Sequence, residues 1–231
     1  MDETKKLDVE EVEVIEESEK VDNEYENESE EESLETADSY GKKLIARDTF
    51  VFSVRDICEM ALLCGLAIVF DKFVKIGVGS NGGSINIAML PLFIIALRQG
   101  WFKGFIAGGI VFGALSCLID GWGWHWFPLD YFIGFGSAGI LGLLKPLITD
   151  EDYNVTWHSY AFSTVGMLAA CVVRFIACAI DGLIWTDMGF IGSVTYNAGY
   201  VFPSFIAVCA LFLGLLINIL KAFRTHNTKS L

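Results

Sequence analysis

From residue 54 to residue 221 the chain alternates long apolar runs with short polar breaks. The runs lie at about 54–72, 84–98, 102–119, 128–148, 158–184 and 196–221. Between them stand VGSNGG, RQGWFKG, DGWGWHW, TDEDYN and TDMGFIGS. A helix needs roughly 20 apolar residues to cross about 30 Å of hydrocarbon. The runs approach that length and lack the polar face that a surface helix of a soluble protein shows. The pattern therefore predicts an all-α integral membrane protein with six transmembrane helices. The second run is short and contains Pro91, so one irregular end is expected there.

What precedes the runs has the opposite character. Residues 1–40 hold 18 of the 29 acidic residues and only Lys5, Lys6 and Lys20. The rest of the chain has 13 basic and 11 acidic residues, so the formal charge of −13 belongs to the tail and not to the body. So much like charge with so little apolar surface does not offset chain entropy. Residues 1–45 are expected to be a disordered acidic cytoplasmic tail, a solubilising extension rather than a docking arm. The stretch lacks the basic start and apolar core of a signal peptide. The expected organisation is that tail, a six-helix membrane substrate-binding domain over 50–224, and a short cytoplasmic C-terminus over 225–231.

Lysine and arginine set the direction of insertion. With the N-terminus in the cytoplasm, the inner side holds Lys42, Lys43, Arg47, Arg55, Arg98, Lys103, Lys145, Lys221, Arg224 and Lys229, and the outer side only Lys72 and Lys75. An even number of spans puts the C-terminus inside as well. The eleven residues GWGWHWFPLDY (121–131) then face outward. So do NGGS (81–84), the end of the fifth run with Asp181 and Trp185, and Tyr196 and Asn197. Four separate segments bring aromatic, amide and acidic groups to one side, which points to an outward-facing pocket.

Within it, Asp130 is the candidate counter-charge for a cationic ligand, beside Trp124, Trp126 and Tyr131. Aromatic faces attract cations by about 0.5–2 kcal/mol. The plainer reading of Asp130 is a helix-start aspartate that satisfies free backbone amides. The tryptophans, Trp122 included, also suit a membrane-interface belt, and His125 suits a solvated loop. Arg174, Cys178 and Asp181 are four and three residues apart and so share one helical face. They read either as an ion network or as a pocket wall. Asn197 carries both a donor and an acceptor and suits the edge of a heterocycle, or else a cap of the sixth helix. Gly104, Gly108, Gly109 and Gly113 make a small-residue row for close helix packing, and Ala61 and Gly65 make another on the first helix.

The six cysteines lie in apolar segments without a C-x-x-C pair, so neither a zinc site nor a disulfide framework is expected. There is no nucleotide-binding loop and no nucleophile–base motif. No cofactor, metal or nucleic acid is expected, and the chain does not read as an enzyme. A small membrane protein with an outer pocket and no energy source needs partners to transport anything. The alternative from another class is a membrane scaffold acting through its acidic tail.

NGGSINIAMLPLFIIALRQGWFKGFIAGGI, FPLDYFIGFGSAGILGLLK, RFIACAIDGLIW and YNAGYVFPS together resemble the substrate-binding S components of energy-coupling factor (ECF) transporters, in particular the thiamine-specific group. The resemblance covers about residues 50–224. It implies a prokaryotic plasma-membrane protein that captures thiamine for ATP-driven uptake. The partners it implies are a transmembrane coupling protein, met at Ala61 and Gly65, and two cytoplasmic ATPases. It implies an acid at Asp130, stacking aromatic rings and an amide at Asn197; with the pocket read from the residues, the candidate substrate contacts are Asp130, Tyr131, Trp124, Trp126, Trp185, Tyr196, Asn197, Ser84, Cys178 and Asp181. Where many members carry a pocket histidine this chain has Cys178, and where many carry a tyrosine it has Gly192. These departures leave open a thiamine precursor or another vitamin-like heterocycle as the ligand.

Overall fold

The computed structural model describes residues 52–78, 83–149 and 155–227, with side chains described as far as Lys221. The acidic tail, Asn81 and Gly82, most of TDEDYN and the last four residues lie outside the described residues, as do the expectations that rest on them.

The first helix, α1 (Val54–Phe73), starts at Ser53. Its backbone N–H donates to the Asp56 carboxylate at 3.1 Å, a reciprocal cap that satisfies donors a helix start leaves free. Met60, Cys64, Ala67 and Asp71 are buried along one stripe. A two-stranded antiparallel hairpin follows, β1 (Lys75–Gly77) and β2 (Ser84–Asn86), pairing Ile76 with Ile85.

The second run has the irregular end expected of it: it holds β2 and then α2 (Met89–Gln99), whose 11 residues are by themselves shorter than a bilayer-spanning helix. Every residue from Met89 to Leu97 except Ile94 is buried. Its continuous hydrophobicity therefore reflects the centre of the core and not a lipid-facing span.

Gly100, at φ 96°, turns the chain into α3 (Trp101–Asp120), whose middle, Ile106–Phe112, is a π-helix. The next run, α4, is broken into Phe127–Ile133, which is also π-helical, Gly134–Gly136, Gly139–Leu143 and Lys145–Ile148. Along this broken run α3 and α4 approach closely. A methyl on Gly109 would stand 2.7 Å from the Phe132 carbonyl oxygen, and one on Gly139 2.6 Å from that of Trp101. Of the expected row, Gly108, Gly109 and Gly113 make this contact, while Gly104 packs first against Ala96 of α2.

Two long helices complete the fold: α5 (Trp157–Trp185), capped at Thr156, and α6 (Gly189–Asn227), with Pro203 inside it. Helix α6 begins seven residues before the expected start at 196, so Asn197 sits within the helix and is not its cap. Helices α3, α5 and α6 are long and apolar enough to cross a membrane. Helix α1 has the length, but Arg55, Asp56, Glu59, Asp71 and Lys72 make both its ends charged.

Candidate ligand-binding cavity

A cavity of about 230 Å³ opens where the ends of α1, α3, α5 and α6 meet the hairpin and the start of α4. Three carboxylates line it: Asp71 from α1, Asp120 from α3 and Asp130 from α4. Two of them are already paired. The Lys72 ammonium lies 2.6 Å from Asp71 and 2.7 Å from Asp120. The Ser116 hydroxyl bonds Asp71 at 2.8 Å, the Asn86 amide donates to Asp71 at 2.9 Å, and the Tyr131 hydroxyl donates to Asp120 at 2.9 Å. Buried charges are held in this way, each paired and hydrogen-bonded.

Asp130 stands apart from it. It occupies the π-helical turn of α4 and makes no ion pair within 4 Å among the described residues. Its Oδ1 accepts a hydrogen bond from the Cys178 thiol at 2.8 Å. It is therefore not serving as a helix cap. Arg174 also lines the cavity, but its guanidinium lies over the face of Phe135, 3.9 Å from the ring centre. The expected Arg174–Asp181 pair does not form. Seven residues separate them by about 10 Å along a helix, and the Phe135 ring takes the guanidinium instead.

The walls come from several elements. Trp122 and Trp126 line the cavity, as do Tyr131, Tyr196 and Tyr200. The Tyr196 hydroxyl accepts from the Gly83 N–H at 2.7 Å and donates to the Val78 carbonyl at 3.0 Å, fastening the hairpin to α6. Gly83 is needed there, because a methyl group would stand 2.6 Å from the Tyr200 ring. Asn197 lines the cavity with its amide N–H₂ donating to the Ser193 carbonyl at 2.8 Å and its oxygen accepting from the Tyr200 hydroxyl at 2.5 Å. Ser84 and Cys178 also reach the cavity.

Three of the expected residues do not line it. Trp124 is more than half exposed and packs on Phe127. Trp185 meets His125 at a tilt, with ring centres 4.8 Å apart, and His125 is exposed, as expected of a loop histidine. Asp181 is buried, with neither oxygen in a hydrogen bond of ordinary geometry; the Asp130 backbone and the Trp185 side chain are its neighbours. Conversely, Asp71, Lys75, Asn86, Asp120, Tyr200 and Met188 line the cavity without having been singled out. An available signal was the charge of Asp71 and Asp120 at the ends of apolar runs, since an intramembrane ionisable group is a functional candidate by default. At the position of Gly192, a side chain would meet Met188, 3.0 Å away.

Residues 57–224 match the family model described as thiamine transporter protein. The chain belongs to this family. A curated relative, thiamine transporter ThiT of Bacillus subtilis (strain 168), is 29% identical over 172 residues, covering 69% of this chain and 88% of the relative. A solved structure of ThiT from Listeria monocytogenes superposes with a TM-score of 0.63 at 18% identity, covering 74% of this chain and 97% of that one, and shows the same fold. As a thiamine transporter family member the chain is a multi-pass protein of the prokaryotic plasma membrane, and a transport protein rather than an enzyme.

Proposed function

We propose that this chain is the substrate-binding S component of an ECF-type importer and that it captures thiamine in the cavity between α1, α3, α4, α5 and α6. The observation that carries this reading is the state of Asp130: among the described residues, the one cavity-lining carboxylate outside the Lys72 network. A thiazolium cation there gains a counter-charge, and Trp122, Trp126 and Tyr131 supply rings for the two flat heterocycles. Ser84, Tyr196 and Asn197 supply polar edges on the far wall. Cys178 contributes through Asp130, while Trp124, Trp185 and Asp181 act from just outside the cavity. A titration of tryptophan fluorescence with thiamine, on protein purified from thiamine-starved cells, tests this reading. Saturable quenching at submicromolar concentration is the expected outcome. Folded protein without quenching would turn the assignment to a thiamine precursor or another cationic heterocycle.

In this reading the chain crosses the bilayer six times with both termini in the cytoplasm. Helix α2 with the hairpin, and broken α4, serve as short or irregular crossings inside the bundle, where non-helical backbone is tolerated. The positive-inside bias supports that orientation. The acidic tail over 1–45 and the short C-terminus over 225–231 then lie on the cytoplasmic side. The chain carries no nucleotide-binding loop, so a coupling protein and two ATPases supply the energy. The coupling protein would dock on α1, where Ala61, Leu62, Gly65 and Leu66 are exposed and nothing lies within 4 Å of a methyl placed on Gly65.

A further inference from the structure

Asp130 reaches the cavity from a π-helical turn, and its carboxylate is held on one side only. The Cys178 thiol donates to Oδ1 at 2.8 Å, across 48 residues of sequence. Oδ2 makes no hydrogen bond among the described residues and belongs to a side chain that lines the cavity. Cys178 is itself almost fully buried, at 3% exposure, and its sulfur lies next to the Tyr200 hydroxyl. That hydroxyl donates to Asn197, whose amide donates in turn to Ser193. The thiol is thus the link between the acidic wall on α4 and the amide wall on α6. Helix α5 carries it there in register with Arg174, one turn away on the same face. Of the six cysteines, Cys178 is the one that lines the cavity among the described residues.

We propose that Cys178 is a positioning residue that sets the cavity's preference for a cation: its S–H occupies Oδ1 of Asp130 and leaves Oδ2 aimed at the ligand's positive ring. The inference rests on the thiamine-binding reading above. A thiol is a weak donor, and a charged acceptor strengthens the bond it makes. Removing it frees the carboxylate to rotate toward Arg174, a cation that lines the same cavity. The cavity then loses its fixed counter-charge while keeping its shape. A serine hydroxyl would replace the thiol as donor.

The test uses the full chain in detergent. Binding is measured for thiamine and for its uncharged analogue, in which carbon replaces the thiazolium nitrogen. In Cys178→Ala the affinity for thiamine should fall about tenfold, the usual worth of one hydrogen bond to a charged group. The affinity for the uncharged analogue should stay within about twofold. Cys178→Ser should restore the preference. In an Asp130→Asn background, Cys178→Ala should change neither affinity. Equal losses for both ligands, or an unchanged ratio, would overturn the proposal and make Cys178 a packing residue. Wild-type protein that binds neither ligand would overturn the thiamine reading itself, a distinct result.

Discussion

Asp71, Asp120 and Asp130 carry the same functional group into one cavity, and their partners give them different work. Lys72 holds the first two at 2.6 and 2.7 Å. Asp130 has a thiol on Oδ1 and no cation within ion-pair distance among the described residues. Asp130→Asn should therefore weaken thiamine binding by at least tenfold, since a charge-assisted contact is worth about 1.5–3 kcal/mol. The chain should stay folded, because the amide keeps the shape and no ion pair is broken. Fluorescence titration beside a thermal melt checks both parts; unchanged affinity would remove Asp130 from the site. The aromatic residues divide in a comparable way. Trp122 and Trp126 line the cavity, while Trp124, of the same type and in the same loop, packs on Phe127 outside it. Composition marked the loop, but side-chain direction separated its members.

At the scale of elements, the pairing of α3 with broken α4 builds the site. Both contain a π-helical stretch, Ile106–Phe112 and Phe127–Ile133, and the second carries Asp130 and Tyr131. Such wide turns are often found at functional sites. Glycines let the two backbones touch: a methyl on Gly108 would collide with the Phe135 carbonyl. Gly108→Val should cost stability by about 1–3 kcal/mol, the usual scale of overpacking. It should also weaken ligand binding, because the backbone that displaces carries Asp130. A lowered melting temperature with intact affinity would show that the α3–α4 contact does not position the site. The glycine row was legible in the sequence. That its partner would be a broken helix was not, because an apolar run of about 21 residues reads alike whether straight or interrupted.

At the scale of the whole molecule, charge is sorted to the two ends of α1. Its first turns hold Asp56 and Glu59, which bind Lys103 at 2.8 Å and Arg98 at 2.7 Å. Its last turn holds Asp71 and Lys72 at the cavity. Twenty residues of helix separate the two ends by about 30 Å. Between them one face packs on the core and the other, with Ala61 and Gly65, is open. If the proposed coupling protein docks on this face, Gly65→Trp should prevent its co-purification and abolish uptake. The fluorescence response to thiamine should persist, since Gly65 lies on the side of α1 away from its buried stripe. Full uptake by the variant would move the docking surface elsewhere.

Membrane character, the helical class, the gathering of aromatic and acidic groups around one cavity, and the family were all legible in the sequence alone. Each follows from composition or from local runs, which need no knowledge of what lies across the bundle. Only the tertiary structure decided that α2 is a buried core helix, that the Arg174 guanidinium lies over Phe135 rather than pairing with Asp181, and that Asp130, among the described residues, stands outside the Lys72 network. Those outcomes depend on partners far apart in the chain: 48 residues separate Lys72 from Asp120, and 48 separate Cys178 from Asp130. Which acid is neutralised is a property of packed helices, because an ion pair needs both charges within a few ångströms, and residue order does not specify that distance.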